Sequence, residues 1–221
     1  MSISGVIYIP VAASDKKNLQ IINKLKRKNI PVVLADRGIQ DSDFDFVTTN
    51  NFEGSREITQ HLINRGHEKI AFLSNKVYST ERLRYDGFIS KMKELKIVQD
   101  PSITIIDKSA FNVNRYLNHA HKILKNKGKF TAVYAGHDRI ALLFYAAAKN
   151  LGLNVPEDFS LVGYDNMPLT TVSLTTMHQP IYEMGQESIK LIVARLNDRS
   201  IKTKNVILKS NLIKRKSVKS I

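Results

Sequence analysis

Short apolar runs recur along the chain, each followed by a stretch in which apolar positions return every third or fourth residue. Residues 132–135 form such a run, rich in β-formers and too short for a helix, and read as a strand buried on both faces. Ile140, Leu143, Phe144 and Ala147 then repeat at helical spacing, Gly152 stands where a left-handed cap belongs, and Pro156 blocks continuation. A second buried run covers 159–163. Strand, crossover helix, strand is the right-handed unit of a parallel sheet, and open sheets of this kind bind ligands beyond the carboxyl ends of their strands. His137, Asp138 and Asp165 lie at those two ends.

The same alternation runs from end to end. Strands are predicted at 6–9, 31–35, 44–48, 69–74, 103–106, 174–177 and 206–213, with the first buried. Helices are predicted at 15–28, 53–65, about 81–95, 112–127 and 182–196, before a basic, frayed tail. The class is therefore α/β with mainly parallel sheets, without sequence repeats or low-complexity segments.

Strand after strand ends in a residue able to hydrogen-bond a hydroxyl. Asp36 follows the second, Ser74 and Asn75 the fourth, His137 and Asp138 the sixth, and Asp165 the seventh. Each charge-assisted bond from such a rim contributes about 1.5–3 kcal/mol when well placed, which suits a polyhydroxylated ligand. Side chains of this kind also cap helices. Capping is the favoured reading for Asp138, and ligand contact for Asp165.

Other chemistries fit less well. The run DSDFDF at 41–46 lacks the sixth-position glycine of a calcium loop and has Phe52 where a bidentate glutamate is needed. His119 and His121 are two apart on a helix and face different ways. There is no phosphate-cradling glycine loop and no glycine-flanked nucleophilic serine. Asp36 and Asp165 as a glycosidase pair have nothing in the sequence to set their separation. No cofactor and no metal are expected, and the protein is expected not to be an enzyme.

The 221 residues, 43% of them hydrophobic, suffice for one large or two small domains. No apolar run approaches the ~20 residues of a membrane-spanning helix, no export signal is recognisable, and there is no cysteine, so a cytoplasmic location is expected. The net charge of +14 invites a nucleic-acid reading. The densest groups, Lys24 to Lys28 and Lys122 to Lys129, lie on helix faces or ends without interleaved aromatics, so a solvated lysine-rich surface is the preferred explanation.

With these motifs in view, the chain resembles the effector-binding core of the lactose-repressor and galactose-repressor type of bacterial transcription regulators. The likeness rests on SGVIYIP, IPVVLADR, NRGHEKIAFL, ERLRYDGF, YAGHDRIAL, VPEDFSLVGYDN and LTTMHQP, in that order and over almost the whole chain.

The resemblance implies two doubly wound, mainly parallel subdomains of the periplasmic-binding-protein-like type I fold. The first would comprise 1–48 and 177–203, the second 49–176 and 204–221, with a sugar-sized effector between them. Arg84 in RYDGF looks like the arginine that forks onto the effector, and Asp165 in GYDN like the acid that accepts from it. His137 stands where the family usually has asparagine, Asp36 matches an acidic contact, and Phe111 falls where an aromatic ring lies against the effector or starts a helix in the core. Asn75 completes the ligand set, and Arg82 is open between the effector and a local carboxylate. Replacing Arg84 or Asp165 is expected to abolish binding while leaving the fold largely intact.

Family members begin with a helix-turn-helix, a hinge, and a strand, helix and strand that have no counterpart in this chain. The expectation is a fragment of a longer repressor whose first subdomain lacks strands at the middle and one edge of its sheet, and which reaches DNA only through a domain absent here. A two-fold homodimer is the expected assembly. A periplasmic transport receptor or a sugar-processing enzyme is the alternative.

Overall fold

The computed structural model describes residues 3–11, 14–39, 42–168 and 172–221. Its helices are α1 (Asp15–Arg27), α2 (Asn51–Ile63), α3 (Ser79–Glu94), α4 (Val113–Leu124), α5 (Asp138–Asn150) and α6 (Ile181–Asn197). The strands are β1 (Val6–Tyr8), β2 (Val32–Ala35), β3 (Asp45–Thr49), β4 (Ile70–Asn75) and β5 (Thr104–Asp107). They continue as β6 (Ala132–Ala135), β7 (Ser160–Asp165), β8 (Thr175–His178), β9 (Asn205–Leu208) and β10 (Asn211–Ile213). Two compact units result, one of residues 1–50, 78–80 and 180–209, the other of 51–77, 81–179 and 210–221. No helix among the described residues is long and apolar enough to cross a membrane.

In the first unit, four parallel strands pair in the order β1-β2-β3-β9. The run VVLA makes β2 buried throughout, because its alternate residues serve opposite faces. Val33, Ala35 and Val47 pack with Met184, Leu191 and Ile192 of α6, while Val32 and Leu34 join Ile22 of α1 and Phe44. Asp15 in the first turn of α1 and Lys24, Lys26 and Arg27 in its last complement the helix dipole.

Three expectations are corrected here. The strand at 6–9 is not buried: β1 is an edge strand, with Ile7 39% and Ile9 49% exposed. The single closing strand at 206–213 is two strands, β9 parallel to β3 and β10 antiparallel to β8. The unit boundary consequently falls after Lys209, where the sequence placed it at 203, because Val206 and Leu208 pack into the first unit's core.

The second unit has six strands in the order β10-β8-β7-β6-β4-β5. On one face Leu73, Val133, Ala135 and Leu161 pack with Tyr116, Ile123, Ile140 and Phe144 of α4 and α5. On the other, Phe72, Tyr134, Val162 and Tyr164 meet Ile58, Leu62 and Phe88 of α2 and α3, with the Phe72 and Phe88 rings stacked 4.8 Å apart. The chain goes from β4 outward to β5 and back to β6, so the winding reverses between β4 and β6. Beyond the carboxyl ends of strands at such a reversal the flanking loops diverge and leave a crevice.

The tail is docked, contrary to the fraying expected of it. Ser217 accepts from Leu161 N at 2.8 Å and its hydroxyl donates to the Leu161 carbonyl at 2.6 Å. The His67 ring sits 3.0 Å from the Lys219 carbonyl, 2.8 Å from the Ser160 hydroxyl and 3.0 Å from that of Thr131. These bonds satisfy backbone groups that β7 would otherwise bury unpaired.

Candidate functional site

Arg84 lies on the same face of α3 as Phe88, one turn away, so docking that face against the sheet carries the arginine inward, where it is 3% exposed. A guanidinium at this depth needs its donors satisfied. Nε donates to Asn51 Oδ1 at 2.8 Å, Nη1 to the Gly136 carbonyl at 2.9 Å, and Nη2 to Asp165 Oδ1 at 3.0 Å. The guanidinium carbon stands 3.8 Å from the centre of the Tyr164 ring, and the Arg84 carbonyl accepts from Ser55 Oγ. One side chain thus ties α2, the tip of β6 and the tip of β7 together. The burial gives Arg84 a structural role beside the one expected of it.

Asp165 ends β7 with φ +109, and Asn166 follows at +55. Two successive side-chain-bearing residues in the left-handed region cost of order 1–3 kcal/mol each and persist only when their surroundings hold them. Here Gln179 Nε2 donates to Asp165 Oδ1 at 2.7 Å, and Asn166 accepts from Arg215 Nη2 at 2.6 Å. The twist turns the Asp165 carboxylate out of the sheet, where its side chain keeps 26% of its exposure beside the buried arginine.

The remaining predicted residues of this unit lie around that pair. Asn75 ends β4 at the reversal point, buried, its Oδ1 accepting from Val77 N at 3.0 Å. His137 follows the tip of β6, directly after the Gly136 that Arg84 grips. Its ring nitrogen accepts from Ile140 N at 3.4 Å, so His137 caps α5 and Asp138, expected to be the cap, does not. Asp138 instead is fully buried in the first turn and holds the loop after β7, accepting from Met167 N at 2.8 Å and Thr176 Oγ1 at 2.7 Å. Burial raises its carboxyl above the usual range.

Phe111 stacks on Tyr116 at 5.1 Å, lies 5.5 Å from the His137 ring, and carries the Arg139 guanidinium 4.4 Å from its centre. Burial pushes the Tyr116 phenol up to about 12, which keeps it a neutral partner. Arg82 donates to the Val77 carbonyl at 3.2 Å. Asp36 belongs to the first unit, at the end of β2 with φ +65, where its carboxylate pairs with Arg37 Nε at 3.4 Å and its carbonyl accepts from Thr48 Oγ1 at 2.6 Å.

Sequence reasoning missed Asn51, Tyr164 and Gln179. Tyr164 precedes Asp165 on the strand and was legible only as a core aromatic. Gln179 follows β8 as another polar residue at a strand tip, and the rule that found Asn75 would have found it. Asn51 had no local signal, because its role exists only once α2 and α3 pack together.

The arrangement combines a fixed cation, a reachable carboxylate and an aromatic face, which is chemistry for holding a polar molecule by directional bonds. Among the described residues no group of three His, Asp or Glu side chains is placed to hold a metal ion. His119 contacts Asp107 at 3.2 Å while His121 contacts the Leu117 carbonyl at 2.8 Å, so the two histidines serve different partners.

Comparison with known proteins agrees with this architecture. The family model described as a periplasmic binding protein-like domain matches residues 59–218. The transcriptional repressor PurR of Mannheimia succiniciproducens is 31% identical over 196 residues, which are 87% of this chain and 58% of that protein. PurR of Pectobacterium carotovorum is 34% identical over 86% of this chain and 57% of its own length. The chain thus spans somewhat over half the length of these relatives. A LacI family transcriptional regulator from Enterococcus faecium, solved with bound ribose, superimposes with TM-score 0.84 at 27% identity, covering 99% of this chain and 80% of that one. With the fold, its strand order and the family model in agreement over most of its length, the chain belongs to the periplasmic binding protein-like domain family, within which its relatives include LacI-type transcriptional regulators.

Proposed function

We propose that this chain is the ligand-sensing core of a sugar-responsive transcriptional repressor. In this reading a small polyhydroxylated effector binds at the strand tips of the second unit. Asp165 accepts from vicinal hydroxyls, Arg84 donates, His137 and Asn75 line the reversal point between β4 and β6, and Phe111 offers an apolar face. The observation that carries the reading is the Arg84–Asp165 contact at 3.0 Å, a buried cation and a half-buried carboxylate meeting at the strand ends. Ribose in the Enterococcus faecium regulator supports a sugar as the ligand class.

Binding without turnover is expected, as is a two-fold homodimer in the cytoplasm. Recognition of operator DNA is assigned to the part of the relatives' length that this chain does not match. Effector binding would act by its differential affinity for two conformations.

Calorimetry of the 221-residue chain against pentoses, hexoses and disaccharides tests this. Saturable heat with at least one sugar, lost in Asp165→Ala, is the expected outcome. Heat with none of them, or equal affinity in the variant, rejects the site. Release of chromophore from aryl glycosides would reject the binding-only reading in favour of a sugar-processing enzyme.

A further inference from the structure

The first unit has a cationic surface at the end of its sheet opposite Asp36. Lys26, Arg27 and Lys28 close α1 and lead into the start of β2, while Arg199, Lys202 and Lys204 occupy the loop that leads from α6 into β9. All six are exposed. These segments are far apart in sequence, and a single carboxylate joins them: Asp43 accepts from Lys26 Nζ at 3.3 Å on one oxygen and from Thr203 Oγ1 at 2.6 Å on the other. Thr203 and Lys26 hold that carboxyl below the usual carboxylate range, so it stays an acceptor for both. Behind it Asp45 is nearly buried and taken up by Arg195, at 2.6 and 3.0 Å, and by Lys204 N at 2.7 Å. Lys26, Asp43, Arg195, Arg199 and Thr203 line one depression of about 190 Å³.

Asp43 and Asp45 are thus committed to internal bonds, and Asp198, in the same loop as Arg199, accepts from Ser200 N at 2.8 Å and from Ser200 Oγ at 2.6 Å. Among the described residues, Arg27, Lys28, Arg199, Lys202 and Lys204 form no ion pair within 4.0 Å. The nearby aromatic ring, Phe44, is buried beneath Lys26, 5.3 Å from its ammonium, and offers no platform for a base. Spaced cations without exposed rings match the phosphates of a duplex rather than its bases.

We propose that this face of the first unit is a second, sequence-independent contact for double-stranded DNA, made by the core itself. This proposal rests on the repressor reading, in which the core is held near DNA. There the contact adds affinity without adding specificity, and makes that affinity steeply dependent on salt. The surface lies at the amino ends of β2, β3 and β9, so within this unit it does not overlap Asp36 at the carboxyl end of β2.

The test is fluorescence anisotropy of the 221-residue chain with a labelled 30-base-pair duplex of arbitrary sequence and a second of shuffled sequence. Both duplexes should bind equally, with affinity falling roughly 10²-fold between ~50 and ~200 mM salt if about four phosphates are engaged. The variant Lys28→Glu, Arg199→Glu, Lys202→Glu should weaken binding at least ~10-fold and flatten the salt dependence by about one unit of slope for each phosphate lost. Lys122→Glu, Lys125→Glu, Lys129→Glu, an equal change of charge on the second unit, should cost far less. If the first triple variant melts below the parent, the triple glutamine variant at the same positions replaces it.

Absence of binding at ~50 mM salt, equal losses in the two triple variants, or binding to phosphatidylglycerol vesicles but not to DNA each overturns the proposal. Sugar calorimetry on the first triple variant separates the two readings. Effector heat retained while DNA affinity is lost supports the surface, whereas DNA binding in a chain that takes no sugar leaves the surface standing and removes the sensor.

Discussion

Arg84 Nη2 donates to Asp165 Oδ1 across 3.0 Å, joining the middle of α3 to the last residue of β7. The two ends of this contact differ in environment: the guanidinium is buried and bonded on three sides, while the carboxylate keeps access to solvent. Substitutions at the two positions should therefore separate. Asp165→Asn should lower sugar affinity at least ~10-fold with a melting temperature close to the parent's, because hydrogen bonding to an ionised acceptor is what is lost. Arg84→Ala should lose binding and also about 2–3 kcal/mol of stability, since Asn51 and the Gly136 carbonyl are left buried without their donor. Calorimetry with parallel urea denaturation decides; equal stability in both variants would contradict the assigned burial.

Asp138 provides a prediction in pH. Burial raises its folded-state pKa above the unfolded value, so the folded chain takes up the proton more readily. Relative to Asp138→Asn, the parent should be at its most stable below the ordinary carboxylate value near ~4 and should lose stability as pH rises through the raised value. Unfolding free energies of both chains between about pH 4 and 7 give that difference. A difference independent of pH would show that the carboxyl titrates normally.

His67 works with the opposite slope. Burial lowers the pKa of its ring, so the neutral form is the folded form. Its contribution is complete above the ordinary histidine value of about 6.5 and is lost as pH falls through the lowered folded value. His67→Gln should be less stable at pH 7.5 by about 1–3 kcal/mol, through the bonds to Thr131, Ser160 and Lys219. Its deficit against the parent should narrow on acidification, read from thermal melts. His61, whose ring is lowered mainly by burial and in small part by His67 itself, is present in both chains.

Arg195 and Asp45 form a bidentate pair, with Asp45 almost wholly buried. Arg195→Met leaves that acid bonded to the Lys204 amide and without its counter-ion, and should cost about 3 kcal/mol. Adding Asp45→Asn to Arg195→Met should recover part of the loss. A double-mutant cycle in urea measures the coupling, and a coupling near zero would mean the pair contributes nothing net.

Much of the fold was legible because each level of the chain agrees with the next. The run AVYA could be only a strand, Gly152 takes up its left-handed φ of +73 at the end of α5, and alternation of strand and helix leaves a parallel sheet as the economical packing. Errors arose where burial is decided by neighbours. VIY reads like AVYA, yet among the described residues it stands at an edge, paired with β2. NVILKSNLI reads as one strand, and is divided between two sheets because the first part finds β3 and the second β8. The tail looked free because its bonds are made to residues distant in sequence.

By itself the sequence determined the order of elements, the polar residues at the strand tips and the excess of cations, since periodicity and composition are local properties. Only the tertiary structure decided that Arg84 is buried, that His137 and not Asp138 caps α5, and that Lys26 and Thr203 share one carboxylate. Each of those depends on which surfaces are withdrawn from water together, and burial is a property of the packed chain rather than of any segment of it.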